Sequence, residues 1–178
     1  MSQKSMINAQ NIVYEYIRRD EEGNVESINR AVDGVSVDVK AGEFIAILGH
    51  NGSGKSTFAK NLNRLLTPTQ GTLWVNGYDA SDNDNIWNIR QSAGMVFQNP
   101  DNQIISSVVE EDVGFGPENL GVQTDEIWKR VEDALNAVDM MKYRKYSPNK
   151  LSGGQKQRRL VEVYNSHSVS CIVREREL

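Results

Sequence analysis

An α/β domain with an antiparallel β portion and a helical insertion is the fold class this sequence predicts, and three observations predict it. The first is the string Phe44-Ile45-Ala46-Ile47-Leu48-Gly49-His50-Asn51-Gly52-Ser53-Gly54-Lys55-Ser56-Thr57, which reads as an apolar strand, a glycine loop and a helix start. The second is the set of short β-patterned runs on either side of it. Val35, Val37 and Val39 alternate with Ser36 and Asp38, and residues 72–75 lead into Asn76-Gly77, a strong hairpin signal. The third is a change of character after Gln98, where strand patterns give way to helical ones as far as residue 150.

Taken in order, residues 6–16 alternate loosely and carry Ile12, Val13, Tyr14 and Tyr16, which predicts a strand. Residues 18–29 are charged around Gly23 and read as a loop or hairpin tip. Lys40-Ala41-Gly42-Glu43 turns the chain into residues 44–48, whose unbroken apolar run suits a central strand buried on both faces. Phe58, Ala59, Leu62, Leu65 and Leu66 recur at helical spacing, and Thr67-Pro68-Thr69-Gln70-Gly71 breaks that helix. A polar loop over 79–84, a short helix over 86–92 and a short apolar strand over 94–97 follow. Beyond them, residues 108–115 predict a helix ending near Gly116-Pro117. Thr124 reads as the N-cap of the next helix, with Asp125 and Glu126 in its first turn. Ile127, Trp128, Val131, Ala134, Leu135 and Val138 make one face of it.

The chain of 178 residues suits one domain, and its net charge of −4 and pI near 5.3 give no basic footprint for nucleic acid. One cysteine, Cys171, rules out an internal disulfide and a multi-cysteine zinc site, and fits a reducing compartment. There is neither an apolar run of bilayer length nor an N-terminal signal segment, so the expectation is a soluble chain that reaches a membrane only through a partner.

Gly49 to Ser56 fits the phosphate-binding pattern G-x-x-x-x-G-K-[ST]. Glycines let such a loop wrap a phosphate closely, and its amides then form an anion nest reinforced by the positive end of the helix that follows. In this pattern Lys55 reaches the β- and γ-phosphates and Ser56 offers its hydroxyl to Mg²⁺. Farther on, Leu151-Ser152-Gly153-Gly154-Gln155-Lys156-Gln157-Arg158 opens with an S-x-x-Q capping box and two first-turn glycines, a second helix start suited to an anion.

The loop at 49–56 and this LSGGQ string, separated by a helical insertion, resemble the ABC-type ATPase domain. The likeness runs from about Met6 to Arg158. It implies an ATP-binding domain over residues 1–158 with its helical insertion at about 99–150, and a non-matching tail over 159–178. ATP would contact Gly49, His50, Asn51, Gly52, Ser53, Gly54, Lys55, Ser56 and Thr57, with Mg²⁺ on Ser56 and Gln98. Gln98 resembles the family's glutamine between the nucleotide and the insertion, which contacts the attacking water. Tyr16 resembles the aromatic that stacks on adenine, with Tyr14 as competitor and strand alternation favouring Tyr16. The resemblance also implies that Ser152, Gly153, Gly154 and Gln155 close over a nucleotide held by a second ATPase subunit, in a homo- or heterodimer.

Asn99-Pro100-Asp101-Asn102-Gln103, and the stretch from Val109 to Gly121, resemble the ATPases of energy-coupling factor (ECF) and cobalt/biotin importers, in particular the first of their two paired ATPase subunits. Partners implied are a transmembrane coupling subunit and a substrate-binding membrane subunit, with no nucleic acid, at the cytoplasmic face of the membrane. After Arg158 the family pattern stops: an apolar strand ending in acidic residues is expected there, whereas Cys171, Ile172 and Val173 are followed by Arg174. The expectation is therefore a chain lacking the general base and unable to hydrolyse ATP at its own loop, truncated or frame-shifted, with the sheet around residues 44–48 missing a neighbour. His167, Glu175 and Glu177 read as solvated tail residues. The alternative function is a non-hydrolysing nucleotide-binding or dimerisation fragment. A DNA-repair or translation ATPase is disfavoured by the importer-like strings.

Overall fold

The computed structural model describes residues 4–97, 99–156 and 170–174. They fall into two compact units, one up to Met95 and one from Val96 onward.

In the first unit, β1 (Ser5–Arg19) and β2 (Val25–Lys40) form a long antiparallel hairpin. β3 (Gln70–Val75) pairs with the other edge of β1 and β4 (Tyr78–Asp79) with β3, so the order is β2-β1-β3-β4, antiparallel throughout. The charged stretch at 18–29 holds the expected hairpin tip, but strand reaches into it from both sides. Its charges pair across the hairpin, Arg18 with Glu26 at 2.8 Å and Arg30 with Glu15 at 2.9 Å, so they serve the ladder instead of breaking it. Only residues 20–24 turn, and Asp20 Oδ1 accepts the N–H groups of Glu22 and Asn24 there. Asn76 and Gly77 join β3 to β4 with φ of 51° and 88°, the left-handed pair that a tight hairpin demands.

α1 (Lys55–Leu62) buries Phe58, Ala59 and Leu62, as its spacing predicts. It stops before Leu65, which is exposed. Arg64 ends it, with φ at 61° and a buried guanidinium that donates to the Ala80 carbonyl, Thr67 Oγ1 and Asn83 Oδ1. α2 (Ile86–Ser92) and the fully buried β5 (Ala93–Val96) lie where the sequence places them.

Residues 44–48 depart from expectation. They form no strand and pair with none among the described residues, and Phe44 is 93% exposed, Leu48 71%. A central strand depends on neighbours for its hydrogen bonds and for cover on both faces. The sheet that does form here uses only β1 to β4.

The second unit packs α3 (Val109–Asn119) and α4 (Thr124–Ala137) around Val109, Val113, Val131, Ala134, Leu135, Met140 and Leu151. α3 continues past Gly116-Pro117 because the N–H groups of Leu120, Gly121 and Val122 find carbonyls at residues 116–118, closing the helix after the proline rather than before it. Thr124 is the first helical residue, not the cap: the Ile127 N–H already reaches the Gln123 carbonyl at 3.0 Å, which moves the boundary to Gln123. Of the expected α4 face, Val131, Ala134 and Leu135 are buried, while Trp128 stays partly exposed with Arg144 5.9 Å from its ring centre. The last described strand is β6 (Cys171–Arg174).

Glu110 ties this unit together. It is 4% exposed and ion-paired to both Arg144 and Lys145, while Arg144 also holds Glu132 at 2.7 Å. The first amides of α3 are satisfied by the same segment, Val109 N–H by the Tyr146 carbonyl and Glu110 N–H by that of Arg144. Burial opposes ionisation of Glu110, but the bonds from Arg144 and Lys145 outweigh it and hold its pKa below the ordinary glutamate value. A depressed carboxylate stabilises the fold above its unfolded pKa of about 4.3, and that stabilisation is lost as pH falls through the folded value. Glu110→Gln is therefore expected to cost about 2 kcal/mol at neutral pH and to flatten the acid limb of the stability profile. Identical urea midpoints for parent and variant at pH 7 would contradict this.

Candidate functional site

The glycine loop sits between residues 44–48 and α1. Gly54 opens the helix with φ at 87°, and a Cβ there would lie 1.9 Å from the Ala31 carbonyl oxygen on β2. Only glycine allows the loop to seat against the hairpin at this distance. At the other end, a Cβ on Gly49 would come within 2.6 Å of Ser53 Oγ, so the two arms of the loop nearly touch. Ser53 N–H donates to the His50 carbonyl at 3.2 Å, and Phe58 N–H to that of Gly54 at 2.8 Å. No side chain caps α1 and no acidic residue stands in its first turn, which leaves the positive end of its dipole without a side-chain counter-charge.

Lys55 bends back over this loop. Its Nζ donates to the carbonyls of Gly49 at 2.7 Å and His50 at 2.9 Å. His50 Nδ1 lies 2.9 Å from the Asn51 carbonyl, which can only accept, so Nδ1 carries the proton. Gly52 takes φ of 83° at the exposed crown of the loop, next to Asn51. Ser56 is half-buried in the first helical turn.

Thr57 is buried, and its Oγ1 is 3.2 Å from the hydroxyl of Tyr16 on β1. Tyr16, 43% exposed, is thus fastened to the turn of helix that follows the loop. Tyr14 does not point away from it. Two residues apart on one strand, the rings share a side and meet edge to face, 4.9 Å between centroids at 75°. Alternation cannot separate them; exposure does, since Tyr14 is half-buried and burial, then the Tyr16 phenol, raises its pKa.

In the second unit the capping box forms as its spacing requires. Ser152 N–H donates to Gln155 Oε1 at 2.8 Å and Gln155 N–H to Ser152 Oγ at 3.4 Å. Gly153 and Gly154 are exposed beside it, with open space around their Cα atoms, while Leu151 anchors the start in the core. Gln98, His167, Glu175 and Glu177 lie outside the described residues. Sequence reasoning missed the ion pair between Lys156 and Asp101 at 2.6 Å, and the bond from Phe97 N–H to Gln103 Oε1 at 2.9 Å. The only signal for either was the Asn99-Pro100 turn string, whose Asn99 Oδ1 does accept the Asp101 N–H. Among the described residues no group of three or more His, Cys, Asp or Glu is placed to hold a metal ion, and no helix is long and apolar enough to cross a membrane.

Residues 32–166 match the ABC transporter family. The chain belongs to that family. The ABC transporter likeness is strong among curated relatives: the energy-coupling factor transporter ATP-binding protein EcfA1 of Clostridium novyi (strain NT) is 53% identical over 170 residues, and that of Clostridioides difficile (strain 630) 48% over 169. These alignments cover 96% and 95% of the chain but only 59% of each relative, so the chain spans about three fifths of their length. Among solved structures it is similar to cbiO1 from Clostridium perfringens, part of the ABC transporter complex cbiONQ. That likeness has a TM-score of 0.80 and 32% identity, covering 96% of this chain and 64% of that one. It is also similar to the dimeric ATP-binding cassette MJ0796 bound to ADP and Pi, with a TM-score of 0.78 and 28% identity, covering 94% of this chain and 72% of that one. The α/β fold, with its antiparallel portion and helical segment, is that of an ABC ATPase domain.

Lys55→Ala is expected to lower the affinity for a fluorescent ATP analogue at least about tenfold, because the loop keeps its dipoles but loses its point charge. In the same titration Tyr16→Ala is expected to weaken binding more than Tyr14→Ala, whose ring acts only through its neighbour. Unchanged affinity in Lys55→Ala would remove the loop from the site, and the reverse order of the tyrosines would move the adenine platform to Tyr14.

Proposed function

We propose that this chain is the ATP-binding subunit of an ECF-type ABC importer, the first of two paired ATPase subunits, coupling ATP to uptake of a vitamin or metal. The observation that carries the nucleotide reading is the posture of Lys55. Its ammonium rests on two neutral carbonyls at the mouth of a glycine loop, acceptors that anionic phosphate oxygens would replace with ion pairs. The names of the relatives supply the importer. In this reading residues 1–158 are the ATP-binding domain, with the helical insertion at about 99–150. The partners are a second ABC ATPase subunit, a transmembrane coupling subunit and a substrate-binding membrane subunit, at the cytoplasmic face of the membrane.

The residues present fit a nucleotide: a cradle closed at Gly49, a helix start without a counter-charge and the Lys55 ammonium folded back over the loop. Gly49 to Thr57 would surround the phosphates, and the Tyr16 ring, which is exposed, would receive the adenine. Mg²⁺ would be carried largely by phosphates and water, with the Ser56 hydroxyl and, by the family resemblance, the Gln98 amide as its protein ligands. When bound it would supply charge neutralisation at the phosphates. Ser152, Gly153, Gly154 and Gln155 offer a sealed helix start to a nucleotide on the partner.

A second reading, a nucleotide-binding subunit that does not hydrolyse, is favoured by one observation. The described strand β6, Cys171 to Arg174, carries no carboxylate, where the family resemblance leads one to expect an apolar strand ending in acids. General base action is worth about 10²- to 10⁴-fold. Phosphate release is expected at background from this chain alone, and also when mixed with a partner ATPase whose own loop lysine is removed, while ATP-analogue binding persists. Turnover that requires Lys55 in either assay would make the chain a complete ATPase.

A further inference from the structure

The link between Lys156 and Asp101 spans 55 positions of sequence and joins two segments that the nucleotide motifs treat separately. Lys156 follows the capping box, and its side chain is only 15% exposed, so its methylenes are packed away and its ammonium is directed at Asp101 Oδ1. Asp101 belongs to the single turn Pro100–Gln103. That turn is closed on itself, with Asp101 N–H on Asn99 Oδ1 at 3.0 Å and Ile104 N–H on the Asp101 carbonyl at 3.4 Å. Gln103, at its far end, accepts the Phe97 N–H at 2.9 Å, which joins the end of the turn to the backbone just before Gln98. Downstream, the buried Asp112 accepts the N–H groups of Ile105 and Ser106 at 2.7 and 2.9 Å and fixes the turn to α3.

We infer that Asp101 and Lys156 form a charge latch that sets the turn at 100–103, and through Gln103 the backbone at Phe97, according to the placement of the helix start at 152–156. Both are positioning residues. Asp101 is more than half exposed, so the pair contributes modestly to stability and is suited to opening and closing. Its meaning for transport rests on the nucleotide role proposed above: it makes the segment flanking one site's glutamine answer to the segment that faces the partner's nucleotide.

Hydrogen exchange in the full chain tests the latch at the amides of Phe97, Asp101 and Ile104. Lys156→Ala and Asp101→Asn are each expected to speed exchange there roughly threefold, with α3 and α4 amides unchanged as the control for folding. Lys156→Arg keeps protection, and the exchanged pair D101K/K156D restores it. Raising salt to about 1 M speeds these amides in the parent but not in Lys156→Ala, a response that a purely steric role would not give. Unchanged exchange in Lys156→Ala, or a rise that extends across α4, overturns the latch. ATP-analogue affinity, measured separately, is expected to be equal in parent and Lys156→Ala. A parent that binds no analogue would undo the nucleotide reading while leaving the exchange result to decide the latch.

Discussion

The phosphate loop depends on one close approach, that of Gly54 to the carbonyl of Ala31. The loop has no strand beneath it among the described residues, because residues 44–48 stand exposed. What holds its far end is the β1–β2 hairpin, against which Gly54 presses where a side chain would overlap the backbone. The hairpin reaches the same region a second time, through the Tyr16 hydroxyl on Thr57. Loop, first helical turn and aromatic ring are thus referred to one rigid ladder, and Lys55 closes the loop onto itself from above.

The second unit is organised by charge as much as by its apolar core. Glu110 is buried and stays ionised because Arg144 and Lys145 reach it from the segment that leads to Leu151. Taking one such partner away leaves a buried group unsatisfied, which costs more than the pair contributes net. The same segment caps the start of α3 through its carbonyls, so helix start, ion pairs and core residue Leu151 reinforce one another.

Much of the fold was legible in the sequence wherever a signal is contiguous. Asn76-Gly77 turned as its residues demand, α2 lies at its expected residues, and Ser152 and Gln155 cap each other at the spacing that defines the motif. Signals that depend on distant partners were not legible. The stretch 18–29 read as a loop or hairpin tip, and the tip is there at 20–24, but how far strand runs into it on either side was not legible, because the ladder that pairs Arg18 with Glu26 is a property of two strands together. The apolar run at 44–48 read as a buried strand because burial was inferred from composition, whereas cover and bonding must come from neighbours. In the candidate site, the loop and the capping box could be read from spacing alone. The pairing of Tyr14 with Tyr16 and of Asp101 with Lys156 is visible only in the folded chain.

The hairpin also bears on the order in which the chain acquires structure. Its turn is five residues around Asp20, and its pairings lie close in sequence, the widest joining Ser5 to Lys40. Local contacts of this kind close with little loop entropy, and hairpins form in about 1–10 μs. A nascent chain emerging at about 5–20 residues per second therefore has time to build this ladder before Gly54 itself emerges. The nucleotide loop is then laid down on a surface that already exists, and its strained glycine is selected by a template rather than by the loop's own preferences.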